Sequence, residues 1–180
     1  NVPSFPAQVE NGGMAAALRA GYLMGSLPFA FWFAALQGKA WSGREPLWRL
    51  GPVPAGLVLL LDFAKGVFAV ALGEFLGRDY TGGLAAGAAA AFAHALSPWL
   101  GLRRAGSLLA PLGVLFAVDP RLLLLAGLPA GVLLLAGRKA HPALLAFALA
   151  LPLAALLLGG GQAHLLFALA LSLALLWPPR

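Results

Sequence analysis

The sequence predicts an all-α fold, a polytopic integral membrane bundle of about seven transmembrane helices, some of them short. Three observations carry that prediction. Of 180 residues, 61% are hydrophobic and 10% charged, where a soluble domain carries ~25% charge. Leu and Ala fill long stretches, and charges, Gly or Pro interrupt them at intervals suited to crossings of about 20 residues. The 23 Gly and 14 Pro stand in a chain too apolar for a solvated coil, so they read as helix punctuation.

Residues 1–13, with Pro3, Pro6, Gly12 and Gly13 and no apolar run, read as an expression scar or flexible leader, with Met14 as the native start. Residues 14–180 then form a single transmembrane domain. Its expected spans are Ala15 to Leu36, Val53 to Leu76, Gly83 to Leu102, Leu108 to Val118, Leu122 to Ala136, Ala143 to Leu158 and Ala163 to Trp177. The fourth and fifth, around Asp119-Pro120, are too short to be two full crossings of a ~30 Å core at 1.5 Å per residue, and are expected to tilt, thin the bilayer or form a re-entrant hairpin.

Seven spans put the termini on opposite faces. One face then collects Lys39, Arg44, Arg49, Arg103, Arg104, Arg138, Lys139 and Arg180, eight basic residues against the three (Arg19, Arg78, Arg121) of the other. The basic face, and with it the C-terminus, is assigned to the cytoplasm. The net charge of +6 suits anionic headgroups or phosphates. Nucleic acid is excluded as a partner, because the basic residues are scattered between apolar spans. The absence of cysteine removes disulfides, thiolate metal sites and a cysteine nucleophile.

Four features on or near the basic face can carry chemistry. The loop Gly38 to Arg49 is the most polar in the chain. Ser42 beside Gly43, with Lys39, Arg44 and Arg49 near, can hold a phosphate through backbone N–H groups and guanidinium contacts; Trp41 and Trp48 equally suit an interfacial anchor. Asp62 and Lys65, three apart inside a hydrophobic span, share a helix face; charges there are costly in lipid and belong in the bundle interior, as a site or as a packing lock. His94, placed near the middle of the third span, is a candidate base or substrate contact, or a packing hydrogen bond. Arg103 and Arg104, in Gly101 to Ser107, can receive a phosphate or anchor helix ends. His94, His141 and His164 lack metal-ligand spacing, so no metal site is expected.

Taken in order, Gly25-Ser26-Leu27-Pro28-Phe29, the Ser42-Gly43 loop, Leu61-Asp62-Phe63-Ala64-Lys65-Gly66, and His94 with Pro98 and a basic loop resemble the bacterial acyl-phosphate-dependent glycerol-3-phosphate acyltransferases. The resemblance runs over nearly the whole chain from Met14. It implies a seven-span bundle in the bacterial inner (plasma) membrane with a cytoplasmic site. There a fatty acyl group passes from acyl phosphate to the 1-hydroxyl of glycerol 3-phosphate, without acyl-carrier protein, coenzyme A or other cofactor. Carried over residue by residue, it implies Ser42, Gly43, Arg49, Arg103 and Arg104 as phosphate contacts, Ser42 and His94 as catalytic candidates, and Asp62–Lys65 as a structural intramembrane pair.

The chain departs from the family pattern at three places. After Ser42-Gly43 the family continues Asn-x-Gly-Ala-Thr-Asn, whereas here Arg44-Glu45-Pro46-Leu47-Trp48-Arg49 follow, about three residues shorter. The family's glycine-rich Phe-Lys-Gly-Gly-Lys-Gly is replaced by Leu102-Arg103-Arg104-Ala105-Gly106-Ser107. The family's basic tail with a His and an Asn is replaced by Trp177-Pro178-Pro179-Arg180. Consecutive glycines let backbone N–H groups converge on phosphate, which Ala105 and its bulky neighbours copy poorly. Two functions are therefore expected: an acyltransferase of phospholipid biosynthesis, or a catalytically silent paralogue that binds lipid or a partner.

Overall fold

A computed structural model describes residues 7–43, 45–101 and 107–177. Among them are eight α-helices: α1 (Ala7–Ser26), α2 (Phe29–Leu36), α3 (Pro52–Gly77), α4 (Tyr80–Ala95), α5 (Leu109–Val118), α6 (Pro120–Leu135), α7 (Ala140–Leu157) and α8 (Gln162–Leu176). They make seven passes, because α1 and α2 are one pass in two pieces. Large apolar side chains point outward all round the bundle: Leu135 is 91% exposed and Phe75 78%. In water such a surface would aggregate; in a bilayer it is the lipid-facing belt.

The differences from the expected spans that bear on the site fall in the first pass and in α4. α1 reaches back to Ala7, so residues 7–13 belong to the first helix. The first pass, expected to run unbroken from Ala15 to Leu36, breaks at Leu27–Pro28: proline offers no N–H to the preceding turn, and Pro28 stands at φ −96°, ψ 71°, outside the helical region. α4 starts at Tyr80, where Asp79 caps it by accepting the Gly82 N–H at 2.8 Å. It stops at Ala95 rather than Leu102, because Ser97 ahead of Pro98 is extended (φ −63°, ψ 120°). His94 therefore lies in the last turn of α4, not at mid-span. α5, ten residues long, covers only about 15 Å. It meets α6 across Asp119 alone, whose carboxylate accepts the Arg121 N–H at 2.9 Å.

Helix α4 is the centre, touching α1, α3, α5 and α8, while α6 packs on α7 and α7 on α8. Its sequence, rich in Gly and Ala, is the reason. Lipid tails are as apolar as the helices, so association relies on close van der Waals packing, which small residues allow. Gly21 and Gly25 of α1 face the backbones of Ala86 and Ala90, and a Cβ at either position would overlap them. Ala69, Val70, Ala90, Ala91, Val114, Leu115 and Leu151 continue this contact as the buried core.

The connections gather at two ends. At one, Tyr80 Oη donates to Val118 O at 3.2 Å and lies 2.8 Å from His164 Nε2, which ties the starts of α4 and α8 to the end of α5. At the other, Trp41, Leu50, Ala34, Val58 and Leu100 pack together, placing the Ser42 loop beside the turn that follows α4. The Ser42 loop and the turn at Leu100 that follows α4 therefore share one end.

Gly25→Val should prise α1 from α4. Overpacking of this kind costs about 1–3 kcal/mol, and the expected result is a lower midpoint of thermal unfolding in detergent, with Gly56→Val, where a Cβ meets nothing within 4 Å, close to wild type.

Candidate functional site

The break at Pro28 determines what must surround it. A kinked pass leaves carbonyls without intrahelical partners, and at membrane depth there is no water to satisfy them. Two side chains from other elements do so. Lys65 Nζ of α3 donates to Leu27 O at 2.7 Å, and Ser97 Oγ, just beyond α4, donates to Ser26 O at 3.3 Å. Lys65 is 1% exposed, so its charge needs compensation. Asp62 Oδ1 provides it at 2.8 Å, and the ammonium also lies 5.4 Å from the centre of the Phe29 ring.

Asp62 is in turn held from the α4–α5 side. Ser107 Oγ donates to Asp62 Oδ2 at 2.5 Å, and Ser107 O lies 2.8 Å from His94 Nε2. A carbonyl only accepts, so Nε2 carries a proton in this contact and acts there as a donor, not a base. Ser26, Asp62, Lys65, His94, Ser97 and Ser107 are all buried, forming one polar cluster toward the end that carries the Ser42 loop.

The Ser42 loop forms the rim. Gly38, Gly43 and Gly51 adopt positive φ (65°, 86° and 93°), turns that favour glycine. Gln37 Nε2 donates to Leu50 O and Lys39 Nζ to Arg49 O, each at 2.9 Å, pinning the two ends of the loop together. Between them Glu45 receives the Ser42 N–H at 2.8 Å and the Ser42 hydroxyl at 3.0 Å. The Ser42 N–H is the chief reason the Glu45 carboxyl is held below the usual carboxylate range. Arg49 is exposed and makes no ion pair with a described residue.

The structure thus brings Asp62, Lys65 and His94 into one cluster and sets Ser42, Gly43 and Arg49 on the loop above, with Ser42 and His94 hydrogen-bonded to different groups. Arg44, Arg103 and Arg104 lie outside the described residues. Sequence reasoning missed Ser26, Ser97 and Ser107 as members of the cluster. The signal for the first two was their place just before Leu-Pro and Pro, where a helix gives up its ladder; Ser107 carries no such mark. It also missed Glu45 as the partner of Ser42, although Ser-x-x-Glu is the spacing at which a carboxylate reaches back to a serine. Among the described residues no three of His, Asp and Glu gather as a metal site.

On the same side of the bundle, an apolar groove of about 360 Å³ runs between α5, α6 and α7, lined by Leu108, Leu112, Gly127, Gly131, Leu144 and Phe147 among others. Its first residue, Leu108, follows Ser107 of the polar cluster directly.

Fold and site together define a small polytopic membrane protein with a buried polar cluster and a cation-bearing loop at one end. The chain belongs to the glycerol-3-phosphate acyltransferase family, whose family model matches residues 15–180. A glycerol-3-phosphate acyltransferase of Synechococcus sp. (strain CC9902) is 31% identical over 173 residues, covering 91% of this chain and 86% of that one. Another, from Synechococcus sp. (strain JA-2-3B'a(2-13)), is 41% identical over 111 residues, 57% of this chain and 55% of its own length. The chain spans just over half the length of the curated relatives it matches at 36 to 41% identity. Among solved structures, PlsY, an integral membrane glycerol 3-phosphate acyltransferase, in its lysophosphatidic acid form shares the fold. The TM-score is 0.76 at 24% identity, over 92% of this chain and 87% of that one.

Removing one member of the buried pair leaves the other charge uncompensated, at a cost of about 3–5 kcal/mol. Asp62→Ala should therefore lower the unfolding midpoint in detergent sharply. Asp62→Leu with Lys65→Met should recover much of the loss but not all, since Leu27 O would still lack a donor. Equal midpoints for wild type and Asp62→Ala would remove the pair from its structural role.

Proposed function

We propose that this chain transfers a fatty acyl group from acyl phosphate to the 1-hydroxyl of glycerol 3-phosphate at the cytoplasmic surface of the bacterial inner membrane. The observation that carries the reading is the meeting of the apolar groove and the polar cluster at Ser107–Leu108. A substrate with a long apolar tail and an anionic activated head needs an apolar groove that opens toward the cation-bearing loop, and the cluster fixes the floor between the two. Family membership supports the same chemistry.

In this reading the acyl chain lies along Leu112, Gly131 and Phe147 while the head reaches the Ser42 loop. Arg49, with Arg103 and Arg104, pairs with phosphate oxygens, and Ser42 and Gly43 supply N–H and hydroxyl donors. The glycerol hydroxyl oxygen attacks the acyl carbonyl carbon, the bond from that carbon to the phosphate oxygen breaks, and inorganic phosphate leaves as the hydroxyl proton passes to a phosphate oxygen. The mixed anhydride is already activated, so the protein's task is to hold two substrates in attack geometry and to stabilise charge on the carbonyl oxygen. Asp62, Lys65 and His94 do not touch substrate; they fix the floor under the loop.

Purified protein given acyl phosphate should release inorganic phosphate in a glycerol 3-phosphate-dependent manner above a detergent blank. Arg49→Ala should lower kcat/KM by about 10–100-fold, the loss of a hydrogen bond to a charged group worth ~1.5–3 kcal/mol. Gly131→Leu, which fills the groove, should raise KM for long-chain acyl phosphate and leave KM for glycerol 3-phosphate unchanged. Binding of glycerol 3-phosphate with no phosphate release would identify a catalytically silent paralogue instead.

Orientation has its own test, helped by the cysteine-free background. On intact cells an impermeant thiol reagent should label Gly160→Cys and spare Gly43→Cys; the reverse pattern would invert the topology and remove the loop from the cytoplasm.

A further inference from the structure

The two donors that Ser42 would offer to a phosphate are already taken. Both Glu45 oxygens are engaged, one by the Ser42 N–H at 2.8 Å and the other by the Ser42 hydroxyl at 3.0 Å. No cation shares that carboxylate among the described residues: Lys39 Nζ goes to the Arg49 carbonyl, and the ion pairs of the described residues lie elsewhere, at Asp62–Lys65 and Asp119–Arg121. The contact is not a helix cap either, since Ser42, Gly43 and Glu45 lie outside any helix and the next helical turn begins only at Leu47. What remains is a local contact, with Gly43 at φ 86° beside it, in which two donors of one residue close on an anion from their own chain.

We infer that Glu45 is an internal competitor for the anionic group that the Ser42 loop receives, so that the loop as folded is self-occupied and must release its own carboxylate to take a phosphate. The inference rests on the reading of this loop as a phosphate contact. A phosphate needs the same N–H and hydroxyl, and its charge repels a carboxylate left beside it, so phosphate binding and the Ser42–Glu45 contact are mutually exclusive states of one loop. The side chain can leave: Glu45 is only partly buried, and its donors are local, so its departure breaks no contact between helices. Among the described cations of the loop, Lys39 and Arg49 are not paired with Glu45. The consequence is selectivity by charge. A weakly anionic or neutral ligand does not displace the carboxylate, whereas a phosphate paired with Arg49 does.

Calorimetric titration of the full chain in detergent tests this, with inorganic phosphate and glycerol 3-phosphate as ligands, glycerol as the neutral control, and about 1 M salt, where the Debye length is ~3 Å and long-range charge effects are screened. Glu45→Gln, which keeps the shape and loses the charge, should bind both phosphates about tenfold tighter than wild type, with no gain for glycerol. Glu45→Asp, charged but one methylene shorter, should fall between them. Affinity of a folded Glu45→Gln equal to or below wild type overturns the inference and leaves Glu45 as a loop staple. If Glu45→Gln does not fold, Glu45→Asp decides on the same criterion. Ser42→Ala separates the two layers. Phosphate binding insensitive to Ser42→Ala, or absent from both wild type and Glu45→Gln, defeats the phosphate reading and the competition with it. Binding weakened by Ser42→Ala but not strengthened by Glu45→Gln defeats the competition alone.

Discussion

The carbonyl of Leu27 is the constraint on which the site depends. Pro28 takes the first pass out of its hydrogen-bond ladder in a place where the surroundings are protein and lipid, and the freed acceptor is met by an ammonium, Lys65 Nζ. That choice propagates. A buried cation demands an anion, which Asp62 supplies one turn away on α3, and a buried carboxylate demands further donors, which draws in Ser107. Ser107 carries His94 with it through its carbonyl. Four separate stretches of chain, α1–α2, α3, the end of α4 and the start of α5, are thereby held at one level. An apolar replacement would be cheaper to bury, but it would satisfy none of these acceptors.

The close packing of the helices serves the same end. Small residues let α1 and α4 approach until their backbones touch, and at that separation a lysine on α3 can reach the kink. Short helices follow from the dense layout. α5 spans about half the ~30 Å hydrocarbon thickness and is completed as a wall by α6, which follows after a single residue. The gap left beside this short pass is the apolar groove, open where Gly127 and Gly131 remove side chains from α6. Groove and polar cluster are thus two results of one arrangement: the chain after Ser107 turns straight into the short helix that borders the groove.

Much of this was legible in the sequence. Composition predicted the membrane bundle, span counting the seven passes, and the spacing of Asp62 and Lys65 their shared face. Periodicity failed where proline chemistry overrode hydropathy. Leu27-Pro28 reads as apolar and so passes for continuous helix, and the stretch after His94 stays apolar through Leu96, Trp99 and Leu100 although the helix has ended. Reading His94 as mid-span and reading the first pass as unbroken are the same error. Residues 7–13 were set aside for lack of an apolar run, yet helix α1 includes them. Ser107 was hidden for a different reason: its partners, Asp62 and His94, are 45 and 13 residues away, and no local pattern reports a tertiary hydrogen bond.

The Ser42 loop is held in shape by contacts within itself. It has glycine at three positions with positive φ, Gly38, Gly43 and Gly51, and side chains staple it to backbone: Gln37 to Leu50, Lys39 to Arg49, Glu45 to Ser42. Two of those staples, from Gln37 and Lys39, join the ends of the loop and leave its donors alone. The third closes on the donors themselves. A loop built in this way is shaped before any ligand arrives, which lowers the ordering cost of binding, and the one contact it must give up is the one that an incoming anion reproduces.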